Sequence, residues 1–221
     1  MLKVSALLPG ALLLALSTVA QADGFGVGLH AGLMGPGVDG FYRLNDKLVA
    51  RLSYNSYDYD YDTQEEDVDY DATYTFDNAQ LGLDWYPGAG GFRVSTALVA
   101  NSNELNLHAI PKGGAFDLND TTYAGTEVKD LRANVGYPST AAYLGLGWGN
   151  PVGKDKGLGV TFDIGAFYMG EPEVSQQVVC GTTVRCAQLK SDAEADRRKL
   201  EDELSDFPFW PLVQLGLTYQ F

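Results

Sequence analysis

Few residues in this chain are of types that carry covalent or metal chemistry. Two histidines, His30 and His108, and two cysteines, Cys180 and Cys186, occur among 221 residues. Neither histidine sits in a Gly-x-Ser-x-Gly elbow, a phosphate loop or a metal-ligand cluster, so no enzymatic centre is expected. Five residues separate the cysteines and no histidine is near them, which argues against zinc. Carboxylates are abundant: 29 Asp and Glu against 15 Lys and Arg give a formal charge of −14. A phosphate backbone needs a basic face, so nucleic acid is excluded as a partner. Eight carboxylates crowd the stretch from Tyr57 to Asp71, and no Lys or Arg occurs between Arg51 and Arg93. Thr63 stands where a calcium loop needs Gly, and Asp69 where it needs a bidentate Glu, so an EF-hand is rejected. Asp58, Asp60, Asp62, Glu65, Glu66, Asp67 and Asp69 together suit weak, salt-sensitive binding of divalent cations. The alternative is a solvated acidic tip.

The elements that must position these residues begin after a leader. Lys3, the apolar run Ala11 to Leu16 and Ala20-Gln21-Ala22 read as a secretory signal over 1–22, leaving 23–221 as the mature domain. Export places Cys180 and Cys186 where a disulfide is expected. No run of 18 apolar residues follows, so no membrane helix is available. Period-two alternation is present instead, and it marks strands with two unlike faces. Phe25 to Leu33, Val38 to Leu44, Leu48 to Asn55, Asn78 to Trp85, Phe92 to Asn101, Ala142 to Trp148, Leu158 to Tyr168 and Val213 to Phe221 all show it. One face is large and apolar. The other is mostly Gly, Ser, Thr, Asn, Gln, Asp and Arg, which cannot build a soluble core.

Three connections are short, at 45–47, 87–91 and 150–156, and three are long, near 59–73, 110–136 and 171–207. Met34-Gly35-Pro36 is tight where a long one was due. Short and long on opposite ends is the pattern of outer-membrane barrels, and an even strand count places both ends of the chain in the periplasm. Tyr42, Trp85, Phe92, Trp148, Tyr219 and Phe221 share the apolar parity near the short turns, as an aromatic girdle would. The last long connection contains a helix over 187–204, with Leu189, Leu200 and Leu204 as a sparse apolar stripe among mixed charges. It could cover the barrel mouth or bind a partner.

Val213, Leu215, Leu217, Tyr219 and Phe221 alternate to the final residue. In this the chain resembles the small outer-membrane barrels of the OmpA, OmpX and OmpW type. The resemblance implies an all-β, eight-stranded antiparallel transmembrane up-and-down barrel. It also implies that the last strand is read by the barrel-assembly machinery, and that outer-membrane lipids and lipopolysaccharide surround the protein. No cofactor is expected. Parity turns Asp39, Arg43, Arg51, Asp84, Arg93 and Asp163 into the lumen, three of each sign. Eight strands enclose a space just wide enough to be filled by side chains, and charges there must be paired. The expected function is a non-enzymatic structural or surface-interaction barrel with a plugged polar lumen. The alternative is a narrow channel for small solutes.

Overall fold

The computed structural model describes residues 24–65, 68–88, 90–111, 113–153, 156–206 and 208–221. The leader read at 1–22, together with Glu66 and Asp67, lies outside them. Among the described residues there are thirteen strands and one helix: β1 Phe25–Gly32, β2 Gly35–Asn45, β3 Leu48–Glu65, β4 Val68–Trp85, β5 Arg93–Asn101, β6 Glu104–Pro111, β7 Ala115–Leu118, β8 Thr121–Ala124, β9 Val128–Gly136, β10 Thr140–Trp148, β11 Gly157–Tyr168, β12 Glu173–Cys180, α1 Cys186–Ser205 and β13 Phe209–Gln220. Every pairing is antiparallel.

All eight expected segments are strands, neighbours in the order β4-β3-β2-β1-β13-β11-β10-β5, and β5 pairs with β4 as well. Their two faces differ as the alternation requires. On β3, Arg51, Ser53 and Asn55 are buried while Leu52 is 61% exposed. Leu81, Leu98, Leu144 and Leu215 are exposed in the same way. The first connection is tight because Gly35 takes a left-handed φ of 77° and Tyr57 closes over it, leaving no room for a side chain.

Five strands were not foreseen, and the acidic stretch is not a loop. β3 and β4 each run for 18 residues and pair along their whole length. Only the lower part of β4 pairs with β5; its upper part, from Val68 to Thr75, pairs with β6. β9 and β12 extend that edge. The long connections therefore fold into a sheet extension, and β7 and β8 form a small separate hairpin.

The extension keeps the alternation of the main sheet but reverses its polarity. Tyr57, Tyr59 and Tyr61 continue the parity of Arg51, whereas Asp58, Asp60 and Asp62 continue that of Leu52. Across the strands Tyr74, Leu105, Val135 and Val174 lie side by side on one face. The other face carries Thr73, Asn106, Asn134 and Ser175 at neighbouring positions. Helix α1 packs on β12 and the β7–β8 hairpin. Leu189 and Ala193 are buried with Leu118, Tyr123 and Val128, and Leu131 and Val178 flank them. The Cys180–Cys186 disulfide joins the end of β12 to the first helical residue, with Cα atoms 5.7 Å apart.

Candidate functional site: a buried charge cluster

Four of the six lumen charges meet at one point, each delivered by a different strand. Arg51 comes from β3, Asp84 from β4, Arg93 from β5 and Asp163 from β11. Arg93 donates from Nη2 to both oxygens of Asp163, at 2.7 and 2.8 Å, and from Nη1 to the carbonyl of Gly149 at 2.6 Å. One guanidinium thus serves a carboxylate through one nitrogen and a carbonyl through another, which its fixed array of donors suits better than a single ammonium does. Arg51 bridges the two acids, 3.4 Å from Asp163 and 3.4 Å from Asp84. Arg93 Nε lies 3.6 Å from Asp84, which is therefore held by charge more than by hydrogen bonds. Gly147 makes room for the cluster: a Cβ there would lie 2.7 Å from both the Arg93 guanidinium and Asp163. Arg93 and Asp84 are 0% exposed, and two guanidinium groups face two carboxyl groups within this buried cluster.

The other two charges lie apart. Asp39 accepts from Ser53 Oγ at 2.5 Å and pairs with His30 Nδ1 at 2.7 Å. Asn55 Nδ2 approaches His30 Nε2 at 2.9 Å, which assigns the ring proton to Nδ1. Gln80 and Asn78 continue this polar chain. The serine bonds the carboxylate and not the imidazole, so Ser53, His30 and Asp39 lack the geometry of an activated nucleophile. Arg43 does not join the lumen network. It sits at the short-turn end, where Nε donates to the carbonyl of Val152 at 2.7 Å and Nη2 reaches Val152 and Gly153. Parity had fixed its face correctly but says nothing of its height.

The interior is also less uniformly polar than its alternation suggests. Phe41, Val49, Tyr86 and Val152 form an apolar cluster near the short turns. Met34, Ala97, Val99, Ala141, Tyr143, Phe167, Met169 and Leu212 form a second toward the long connections. The charged centre lies between these two apolar layers.

Among the acidic candidates, Asp60 accepts from Thr73 at 2.8 Å. Asp58, Asp60 and Asp62 are strung along one strand face, so successive carboxylates stand about 7 Å apart rather than converging. Among the described residues, no three His, Cys, Asp or Glu side chains gather in a way that could hold a metal ion. His108 belongs to the polar face of the extension, with Nε2 3.1 Å from Asp130. Val213, Leu215, Leu217 and Tyr219 are exposed on β13, which pairs with both β1 and β11. The Phe221 ring stacks on Phe25 at 6.1 Å.

No family model matches the chain, and no curated protein matches it in sequence. Solved structures do. Acinetobacter baumannii CarO2 aligns over 89% of this chain and 98% of its own, at 19% identity and a TM-score of 0.61. CarO of the same organism aligns over 89% of this chain and 97% of its own, at 20% identity and a TM-score of 0.59. At these identities the likeness is one of fold, and the chain has the fold of the small outer-membrane β-barrels.

Proposed function

We propose that this chain is a non-enzymatic integral protein of a Gram-negative outer membrane, exported by the leader at 1–22. In this reading its eight main strands close into an up-and-down barrel with a plugged lumen. The barrel holds the sheet extension and α1 at the cell surface for a structural or interaction role. The observation that carries the membrane placement is the exposed apolar face between two aromatic bands. Tyr42, Trp85, Phe92, Trp148 and Tyr219 make one band and Tyr54, Tyr168 and Phe209 the other. Phe209 and Tyr219 lie ten residues apart on β13. At about 3.4 Å per residue and a tilt near 40°, that spans about 26 Å, close to the apolar band of such barrels.

The plug reading rests on the sealed charge cluster between apolar layers. A solute would have to break Arg93–Asp163, and the desolvated ions would oppose it. Single-channel recording on refolded protein in planar bilayers tests this. No resolvable conductance steps are expected, and steady ohmic steps would replace the plug with a narrow channel. Lipopolysaccharide is the expected surroundings and the barrel-assembly machinery the expected partner of β13. Deleting Phe221 should reduce heat-modifiable protein in outer-membrane fractions, and unchanged assembly would count against that partner.

A further inference from the structure

Helix α1 is docked unevenly. Its first half is fixed by the disulfide and by Leu189 and Ala193, which are 1% and 3% exposed, whereas no residue after Ala193 is fully buried. The second half is tied to β12 by polar contacts instead, Arg197 donating to the Val174 carbonyl at 3.0 Å, and a cavity of about 220 Å³ lies beside Leu200 and Leu204. Leu200 and Leu204 line one side, and the rings of Tyr74, Phe76, Tyr137 and Trp210 line much of the rest, with Val135 and Met169 among them. Phe76 meets Trp210 edge-on at 6.1 Å and stacks near Tyr74 at 6.4 Å.

The walls carry almost no polar surface, and nearby charges are engaged elsewhere. Glu201 is bound to Arg197 at 2.6 Å, and Glu104 accepts from Asn106 and Asn134 on the opposite face of the sheet. Burial pushes the Tyr137 hydroxyl up, so it stays neutral. The lining includes Glu104 and Asn103, both engaged in other hydrogen bonds, and is otherwise apolar but for Thr75 and the tyrosine hydroxyls, so it would compensate an ion poorly for its lost hydration. Atoms lining an apolar void also lack partners that a fitting molecule would restore. An apolar cavity of about 150 Å³ accepts benzene, so this one has room for a substituted or fused ring. The surrounding rings favour offset and edge-on aromatic contacts.

We propose that this cavity is a binding site for a small, neutral aromatic molecule. The site does not depend on whether the lumen conducts. Its test uses the full mature chain in lipid nanodiscs with 4-bromobenzyl alcohol as probe, since bromine quenches tryptophan on contact. Two proteins are compared: Trp85→Phe/Trp148→Phe, which retains Trp210 in the cavity, and Trp85→Phe/Trp210→Phe, which retains Trp148 on the outward face. Trp210 quenching should saturate as a single site, while Trp148 quenching should rise linearly with probe dissolved in lipid. Adding Val135→Phe, which fills the cavity, or Leu200→Gln, which places an amide in its wall, should raise the half-saturation of Trp210 at least tenfold. Gel mobility checks that each variant is folded. Linear quenching of Trp210, or saturation unchanged by both variants, would overturn the site. Saturation at Trp210 with no quenching of Trp148 would support the site and count against the membrane placement instead.

Discussion

Arg93 is the most fully bonded member of the buried charge cluster, with two hydrogen bonds to Asp163 and one to the Gly149 carbonyl. Arg93→Ala leaves Asp163 and Asp84 with Arg51 as their one nearby cation, at 3.4 Å from each, and Asp163 with a long hydrogen bond from Gln214 at 3.5 Å. Breaking a buried pair costs about 3–5 kcal/mol, whereas removing exposed Arg198 should cost less than about 1 kcal/mol. Urea unfolding of the refolded variants should show that gap, and equal losses would mean a hydrated lumen. Gly147→Ala tests the same cluster by crowding. Its new methyl would displace Arg93 or Asp163, for an expected loss of about 1–3 kcal/mol by the same measurement. Alternation alone placed Arg51, Asp84, Arg93 and Asp163 on one face. It could not show that they meet, because height depends on register between strands far apart in sequence. It also concealed the His30–Asp39 pair, since register sets Gly28 against Asp39 and His30 against Gly37, leaving the pair on a diagonal.

Helix α1 was legible almost to the residue, because Ala, Leu, Glu, Lys and Arg dominate it and pairs such as Glu194–Arg198 fall at i,i+4. What it rests on was not legible. Its N-cap is Arg185 in a left-handed conformation, with no side chain capping the first turn, so the disulfide supplies the anchor. Cys180→Ser/Cys186→Ser should lower stability by about 2 kcal/mol on loop entropy and raise amide exchange first in 186–193. Unchanged exchange there would leave the staple without a role in docking. Acid should loosen the same helix. Hydrogen bonds from Arg197 and Arg198 hold the Glu194 carboxyl down at about 2, and Tyr123 and Asn119 hold Asp192 below its usual value. A depressed carboxyl stabilises above its ordinary range and loses that contribution as pH falls through its folded value. Helix protection should therefore be constant above about pH 5 and decline between about 4.5 and 2. A decline that begins near neutrality would overturn the assignment to these carboxylates.

At the scale of the molecule, the eight main strands were readable because each keeps an apolar face and a polar face in strict period two. The extension is less legible: β6 alternates from Glu104 to Ala109 and β9 from Leu131 to Val135, but these runs are short, β12 breaks the pattern at Gln176-Gln177, and none shows which strand it pairs with. The upper parts of β3 and β4 do alternate, but with tyrosine and aspartate exchanging sides, and so resembled a charged tip. That exchange gives the molecule a waterline. In the proposed placement, Leu52 and Tyr54 are the last apolar residues of β3 to face lipid, and Asp58 follows on the same side. Sinking by one dipeptide, about 5 Å along the membrane normal, would carry Asp58 toward hydrocarbon, and rising by as much would lift Leu52 into water. Both displacements are uphill, so a bilayer of the wrong thickness would thin or swell around the protein before the protein changed its depth.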